Sequence, residues 1–270
     1  MAFNSIISAN KSCVEARNDL KLIHADVLEG LRGLPSCSVD LTVTSPPYNM
    51  EIEYDSHNDT MSTTDYWDWL KSVWEECYRV TKDNGRICVN GPFYNLMQER
   101  SFWLDECWQS LSAVGWKFKH VILWLKARNR NSCNWGSWAS PSCPGIWSSD
   151  EMILVAYKGS PTNPPEGREP CITTDEFKRW TIGTWNIPTE SATRVGHPAP
   201  FPVELPERCI KLFAYKGDTI LDPFNGSGST GIAAIKSGCK SALTSAKHIL
   251  NCPRNAYLRL SQIIGLDLWN

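Results

Sequence analysis

The chain has no apolar run long enough to cross a bilayer: its longest, Met152 to Tyr157, is six residues, against the roughly 20 that a spanning helix needs. An N-terminal apolar stretch of the signal type is missing too, because Lys11, Glu15 and Arg17 stand where it would lie. A membrane-embedded or secreted protein is therefore unexpected, and a cytoplasmic one, nucleoid-associated if prokaryotic, is expected. No Cys-x-x-Cys pair occurs among 11 cysteines, an odd number; this argues against structural zinc and a disulfide framework, so no metal is expected and the cysteines read as small buried hydrophobes. Neither sign of charge dominates. The 27 Lys and Arg against 29 Asp and Glu leave a net charge of −2, which removes the global signature of a nucleic-acid coat protein. Repeats and low-complexity tracts are also absent. What is there, 42% hydrophobic and 21% charged residues over 270 positions, excludes a disordered polymer and suffices for one large domain or a core with an insertion.

Charge is local rather than global. From Cys107 to Ser149 there are five cations (Lys117, Lys119, Lys126, Arg128, Arg130), no acid, and six of the 13 tryptophans. Basic side chains interleaved with flat rings suit a polyanion carrying bases. The alternative is a solvated basic face over tryptophans that belong to the core.

Hydrophobic periodicity gives strands at Lys21 to Ala25, Val39 to Thr44, Arg86 to Asn90, Lys117 to Leu125, Met152 to Tyr157, Thr219 to Asp222 and Ser241 to Thr244. Helices are expected over 27–34, 64–82, 96–114, 203–215 and 229–237, with a last one running to about Ile264. Alternation of this kind belongs to a doubly wound α/β sheet with helices on both faces. Residues 127–195 interrupt it with Pro, Gly, Ser, Asn and Trp, and long irregular stretches inside a compact domain usually carry function. The chain therefore divides into a half at 1–126, an irregular region at 127–195 and a second half of the same domain at 196–270.

Two motifs carry chemistry. Asp222-Pro223-Phe224-Asn225-Gly226-Ser227-Gly228-Ser229-Thr230-Gly231 joins a strand to a helix, where glycines let backbone N–H groups and a helix N-terminus approach a ligand. Its glycines also satisfy the dinucleotide pattern, leaving a nicotinamide enzyme open. The next strand, however, ends in Thr244-Ser245-Ala246-Lys247, without the acid that would hold a ribose. Asp222 and Phe224 add a carboxylate and a ring face suited to a cationic ligand. The second motif, Thr44-Ser45-Pro46-Pro47-Tyr48, follows an apolar strand. Two prolines end that strand in a stiff turn at its carboxyl end, where open α/β sheets place their ligands. The turn offers a hydroxyl, outward carbonyls and a ring, as a flipped-out base bearing an exocyclic amine would require.

Together these residues resemble the DNA amino-methyltransferases that modify N4 of cytosine or N6 of adenine. The likeness covers residues 20 to 262, and the motif order, catalytic before cofactor, is similar to that of the β group. It implies a circularly permuted, Rossmann-like methyltransferase sheet with a target-recognition insertion at 127–195, and S-adenosyl-L-methionine as cofactor. Ser45, Pro46, Pro47 and Tyr48 then take the catalytic role. Asp26, His197, Pro198 and Phe201 join Asp222, Pro223, Phe224, Asn225, Gly226, Ser227 and Gly228 around the cofactor. Asp26 reads equally well as a helix N-cap. Lys126, Arg128, Arg130, Trp135 and Trp138 are the candidates for holding DNA. Serine in first place of the four-residue motif implies cytosine over adenine. The likeness further implies DNA as partner, and raises a homodimer and a cognate restriction enzyme by analogy. Residues 49–62, polar and poorly periodic, are expected to form a mobile loop over the target base. A DNA-binding module without turnover stays open as the alternative.

Overall fold

The structure, a computed structural model, describes residues 12–17, 20–49, 61–94, 102–126, 137–144, 150–190, 201–245 and 259–260. In chain order the elements are β1 (Ser12–Arg17), β2 (Leu20–His24), α1 (Val27–Arg32), β3 (Val39–Thr44), α2 (Thr63–Val80), β4 (Thr81–Pro92), α3 (Trp103–Val114) and β5 (Lys117–Leu125). They continue with β6 (Glu151–Tyr157), α4 (Thr174–Trp180), β7 (Thr184–Asn186), α5 (Glu204–Phe213), β8 (Thr219–Asp222), α6 (Ser229–Lys236) and β9 (Lys240–Ser245). Among the described residues the strands form one sheet, in the order β1-β2-β9-β8-β3-β4-β6-β5-β7.

The run β2-β9-β8-β3-β4 is parallel. The sheet as a whole is mixed, because β6 lies antiparallel to both β4 and β5, and β1 antiparallel to β2. This order sets β3, from the first half of the chain, directly beside β8, from the second, with Leu41 paired to Ile220 and Thr42 to Leu221. The catalytic motif follows β3 and the glycine motif follows β8, so parallel pairing alone delivers both to one rim.

The central strands are apolar on both faces, as helix-covered parallel strands must be. Along β6, Met152, Leu154 and Ala156 enter the cluster under α1, α2 and α3, whereas Ile153 and Val155 enter the cluster under α5 and α6. Helix α2 forms because Ser62 caps it, accepting from the Asp65 N–H at 3.2 Å, and because Tyr66, Leu70, Val73, Trp74, Cys77 and Val80 recur on one buried face. Cys37, Cys77, Cys88, Cys107, Cys143, Cys171, Cys209 and Cys239 are free thiols.

Three elements escaped the sequence reading: β1, α4 and β7. Between the helix expected over 64–82 and the strand expected from Arg86, Asp83-Asn84-Gly85 forms a bulge inside a longer β4, whose pairing with β3 jumps from Val39–Thr81 to Leu41–Arg86. Gly85 permits this, since a Cβ there would lie 2.9 Å from the Asp40 carbonyl. Helix α3 begins at Trp103 rather than near Leu96. Most of the last expected helix falls outside the described residues.

Candidate active site

At the rim, the two motifs share a hydrogen bond. Thr44, the last residue of β3, donates its hydroxyl to Asp222 Oδ1 at 2.8 Å, across 178 positions of chain. Thr230 on α6 donates to Asp222 Oδ2 at 2.8 Å and the Phe224 N–H to Oδ1 at 3.1 Å. The carboxylate is 2% exposed. Burial pushes its pKa up to about 6 against the lowering by the Thr230, Thr44 and Phe224 bonds. Asp222 therefore spends its acceptor capacity inside the protein, pinning β3, β8 and α6 together, rather than presenting an open anionic face.

The glycine turn is shaped for close approach. Gly228, at φ +83°, caps α6 in the left-handed region. The Asn225 N–H donates to the Thr244 carbonyl at 2.9 Å, tying the turn to β9. Ser229 donates to the Phe201 carbonyl at 3.0 Å, which brings Phe201 to the turn. The Arg259 guanidinium donates to the Ser227 carbonyl at 3.0 Å. Asn225 is 2% exposed, and neither its Oδ1 nor its Nδ2 has a hydrogen-bond partner. An unpaired buried amide costs about 1–3 kcal/mol, which a polar ligand at the turn would relieve. Phe224 packs against Trp69 of α2, centroids 5.7 Å apart. Pro223 and Gly226 lie in the same turn. Asp26, exposed, caps α1 by accepting from the N–H groups of Leu28 and Glu29 at 3.0 and 3.4 Å.

The Ser-Pro-Pro-Tyr turn is clamped from two sides. Tyr66 of α2 donates to the Pro47 carbonyl at 2.7 Å, which takes up one of that carbonyl's lone pairs. Ser45 Oγ and Tyr48 Oη lie 2.7 Å apart. The Tyr48 hydroxyl also reaches Glu151 Oε2 at 3.2 Å, and Asn90 Nδ2 donates to that oxygen at 2.6 Å and to Tyr48 at 3.0 Å. The Tyr48 ring meets Trp103 edge-on, centroids 5.8 Å apart, and Trp103 can sit there because Gly91 has no Cβ: one would lie 2.3 Å from its ring. Asn49 and Met61 exchange hydrogen bonds at 2.9 and 3.1 Å, which joins the two ends of the loop expected over the target base; residues 50–60 lie outside the described residues.

Comparison with known proteins fits this geometry. A family model described as "DNA methylase", for N6 and N4 enzymes, matches residues 39–267. The chain belongs to the N6/N4 DNA methylase family. Among curated relatives, the type II methyltransferase M.MjaVI of Methanocaldococcus jannaschii is 37% identical over 175 residues, 64% of this chain and 88% of that one. The DNA adenine methyltransferase YhdJ of Escherichia coli is 27% identical over 81% of this chain and 76% of its own. Of solved structures, a putative DNA modification methylase of Thermus thermophilus complexed with S-adenosyl-L-methionine superposes with a TM-score of 0.69 at 25% identity, covering 91% of this chain and 95% of that one. The cytosine-N4-specific PvuII DNA methyltransferase shares the fold, with a TM-score of 0.66 at 18% identity over 92% of each chain.

This N6/N4 DNA methylase therefore takes its methyl group from S-adenosyl-L-methionine, and the nicotinamide reading falls away. The glycine turn, with its unpaired Asn225 amide, fits such a cofactor.

The basic, tryptophan-rich window is not one surface. Lys117 and Lys119 stand at the start of β5 and bond to the carbonyls of Gly159 and Pro161, while Lys126 follows its far end, about 30 Å away at strand rise. Trp116 and Trp124 are core; Trp138 is 71% exposed. The Lys126 ammonium pairs with Glu151 and lies 4.7 Å from the Trp124 ring centroid, which sets it beside the catalytic turn. Arg128, Arg130, Trp135, His197, Pro198 and Lys247 lie outside the described residues. Among the described residues no group of His, Cys, Asp and Glu is placed to hold a metal ion, and no helix is long and apolar enough to cross a membrane.

Sequence reasoning missed Asn90 and Glu151. Asn90 carried a signal, a polar residue ending an apolar strand. Glu151 carried none, because the rim-facing end of β6 is its beginning, and strand direction is not written in hydropathy.

Proposed function

We propose that the chain methylates the exocyclic N4 amine of cytosine in DNA. When bound, S-adenosyl-L-methionine supplies an electrophilic methyl group on a sulfonium. The amine is a poor nucleophile while its lone pair is delocalised into the ring. Ser45 Oγ and the Pro46 carbonyl accept its two hydrogens and favour a tetrahedral nitrogen, a preference stronger in the transition state than in the ground state. Pro47 stiffens the turn, and the Tyr48 ring stacks on the extruded base. In-line positioning is the protein's main task, and no covalent enzyme intermediate is required. The Thr44–Asp222 bond carries this reading, because it fixes the catalytic turn beside the glycine turn.

Asn225, Gly226, Ser227 and Gly228 would hold the cofactor, with Phe224, Phe201, Pro198 and His197 as further contacts and Asp26 as the acceptor for its adenine amine; Asp222 and Pro223 would shape the turn. Residues 127–195 recognise the DNA through Arg128, Arg130, Trp135 and Trp138. The enzyme works in the cytoplasm, and a restriction partner and a second copy of the chain are the associations to look for. Serine in first place of the motif favours cytosine. The likeness to YhdJ favours N6 of adenine as the second reading. Incubation with DNA and labelled cofactor, digestion to nucleosides and mass spectrometry separates them: N4-methylcytosine is expected, N6-methyladenine installs the second reading, and unmethylated nucleosides contradict both.

A further inference from the structure

We propose that Glu151 is the terminal proton acceptor of the methyl transfer, reached from the target amine through the hydroxyls of Ser45 and Tyr48. This rests on the reading of Ser45 as the residue that faces the amine. A carboxylate in first place of the motif would take a proton directly. A serine hydroxyl is too weak a base to hold one, so a serine motif has to pass the proton on.

The path is present in the hydrogen bonds. Tyr48 Oη lies 3.2 Å from Glu151 Oε2 and 3.5 Å from the Asn90 carbonyl, and the relay assigns its one hydroxyl hydrogen to the carboxylate, the nearer of these two acceptors. In the relay the 2.7 Å bond between Ser45 and Tyr48 runs with Ser45 donating, and because Asn90 Nδ2 also reaches Ser45 Oγ at 3.4 Å, one serine lone pair is left for the amine. Asn90 holds the path in register by donating to Glu151 Oε2 at 2.6 Å and to Tyr48 Oη at 3.0 Å. Only its amide nitrogen can donate to a carboxylate, so the orientation of the amide is fixed. Lys126 pairs with the other oxygen, Oε1. The two side chains are 13% and 15% exposed, and enclosing such a pair costs desolvation that a purely structural contact at a rim has no need to meet. The backbone N–H of Lys126 is anchored in turn by Asp150 Oδ1 at 3.0 Å.

The balance closes. The amine nitrogen spends its lone pair on the new N–C bond, and the electron pair of the broken C–S bond stays on sulfur. The positive charge left on nitrogen goes out as one N–H proton to Ser45 Oγ, while the serine proton moves to Tyr48 Oη and the tyrosine proton to Glu151 Oε2. The products are a neutral methylated amine and a protonated Glu151, which gives its proton to solvent after release.

The test is single-turnover methyl transfer by the full chain as wild type, Glu151→Gln, Tyr48→Phe, the double variant, and Glu151→Ala with and without added formate. Cofactor affinity is followed by calorimetry alongside. The expected result is a loss of roughly 100-fold for each single variant, the scale of general acid–base assistance. The double variant should be no slower than the slower single one, as members of one path require. Cofactor affinity should stay within about twofold of wild type, a change below about 0.4 kcal/mol. Formate should restore Glu151→Ala in a saturable way and leave wild type unchanged. Transfer by Glu151→Gln at the wild-type rate, additive losses in the double variant, or no response to formate would overturn the relay. A wild type that leaves DNA unmethylated would overturn instead the functional reading beneath it.

Discussion

Strands β3 and β8 carry a carboxylate cluster at each end, and the two clusters are built differently. At their beginnings, Asp40 accepts both Lys82 contacts, at 2.9 and 2.8 Å, and the Thr219 N–H at 2.9 Å. Asp218 there accepts Arg168 at 3.0 and 3.2 Å and the Tyr215 N–H at 2.9 Å. Arg168 in turn donates to Asn163 and Pro164 and stacks on Tyr215. At the carboxyl ends Asp222 is held by neutral donors alone, and around it the Asn225 amide and Asn90 Oδ1 stay unpaired in burial. The first cluster is complete within the protein. The second holds its carboxylate without a cation and lies beside the unpaired Asn225 amide at the glycine turn, and that is where a site differs from a staple on the same pair of strands.

The sharpest way to break the comparison is Ser45→Ala. Removing a hydrogen-bond acceptor whose effect is concentrated in the transition state should lower single-turnover methylation about 100- to 1,000-fold, with cofactor affinity nearly unchanged. Equal losses in both would deny Ser45 its role. At the other end, Arg168→Met should cost about 2 kcal/mol in denaturant unfolding, since it strands Asp218 beside Asp40, and leave the transfer rate per folded molecule as it was. A rate loss there would erase the distinction between the two ends.

Asp222 sharpens it through pH. Burial raises its folded pKa to about 6, above the ordinary carboxylate value of about 3.9. The folded state therefore holds a proton that the unfolded state has released, and this stabilising contribution, full below about pH 4, is lost as pH rises through 6. Compared with Asp222→Asn, the wild type should lose ~3 kcal/mol between pH 4 and 7; parallel stability curves would contradict the burial. The smallest effect concerns DNA. Lys119 is tied to the Pro161 carbonyl at the far end of β5, so Lys119→Ala should leave the salt dependence of DNA binding unchanged, whereas Arg128→Ala should reduce the slope by about 1.

Much of this layout was legible in the sequence. Val39–Thr44 and Thr219–Asp222 read as strands with the bounds the structure gives them, because both are apolar runs closed by a polar residue and a proline turn. The two motifs were visible for the same reason, each being a sharp break at a strand end. β1 and β7 were not, since a short edge strand needs no apolar face of its own. The Lys126–Glu151 pair was not legible either, because a lysine in a basic window looks solvated; its acid partner lies 25 positions on and is brought to it by antiparallel pairing of β5 and β6.

Photocrosslinking would test the union of the two motifs most directly. DNA carrying 5-iodocytosine at the methylated position, bound with S-adenosylhomocysteine and irradiated, should attach the halogenated base to Tyr48 and lose that adduct in Tyr48→Ala. Attachment confined to Trp138, or to the Lys117 end of β5, would place the target base away from the Ser45 turn and contradict a single site built from both motifs.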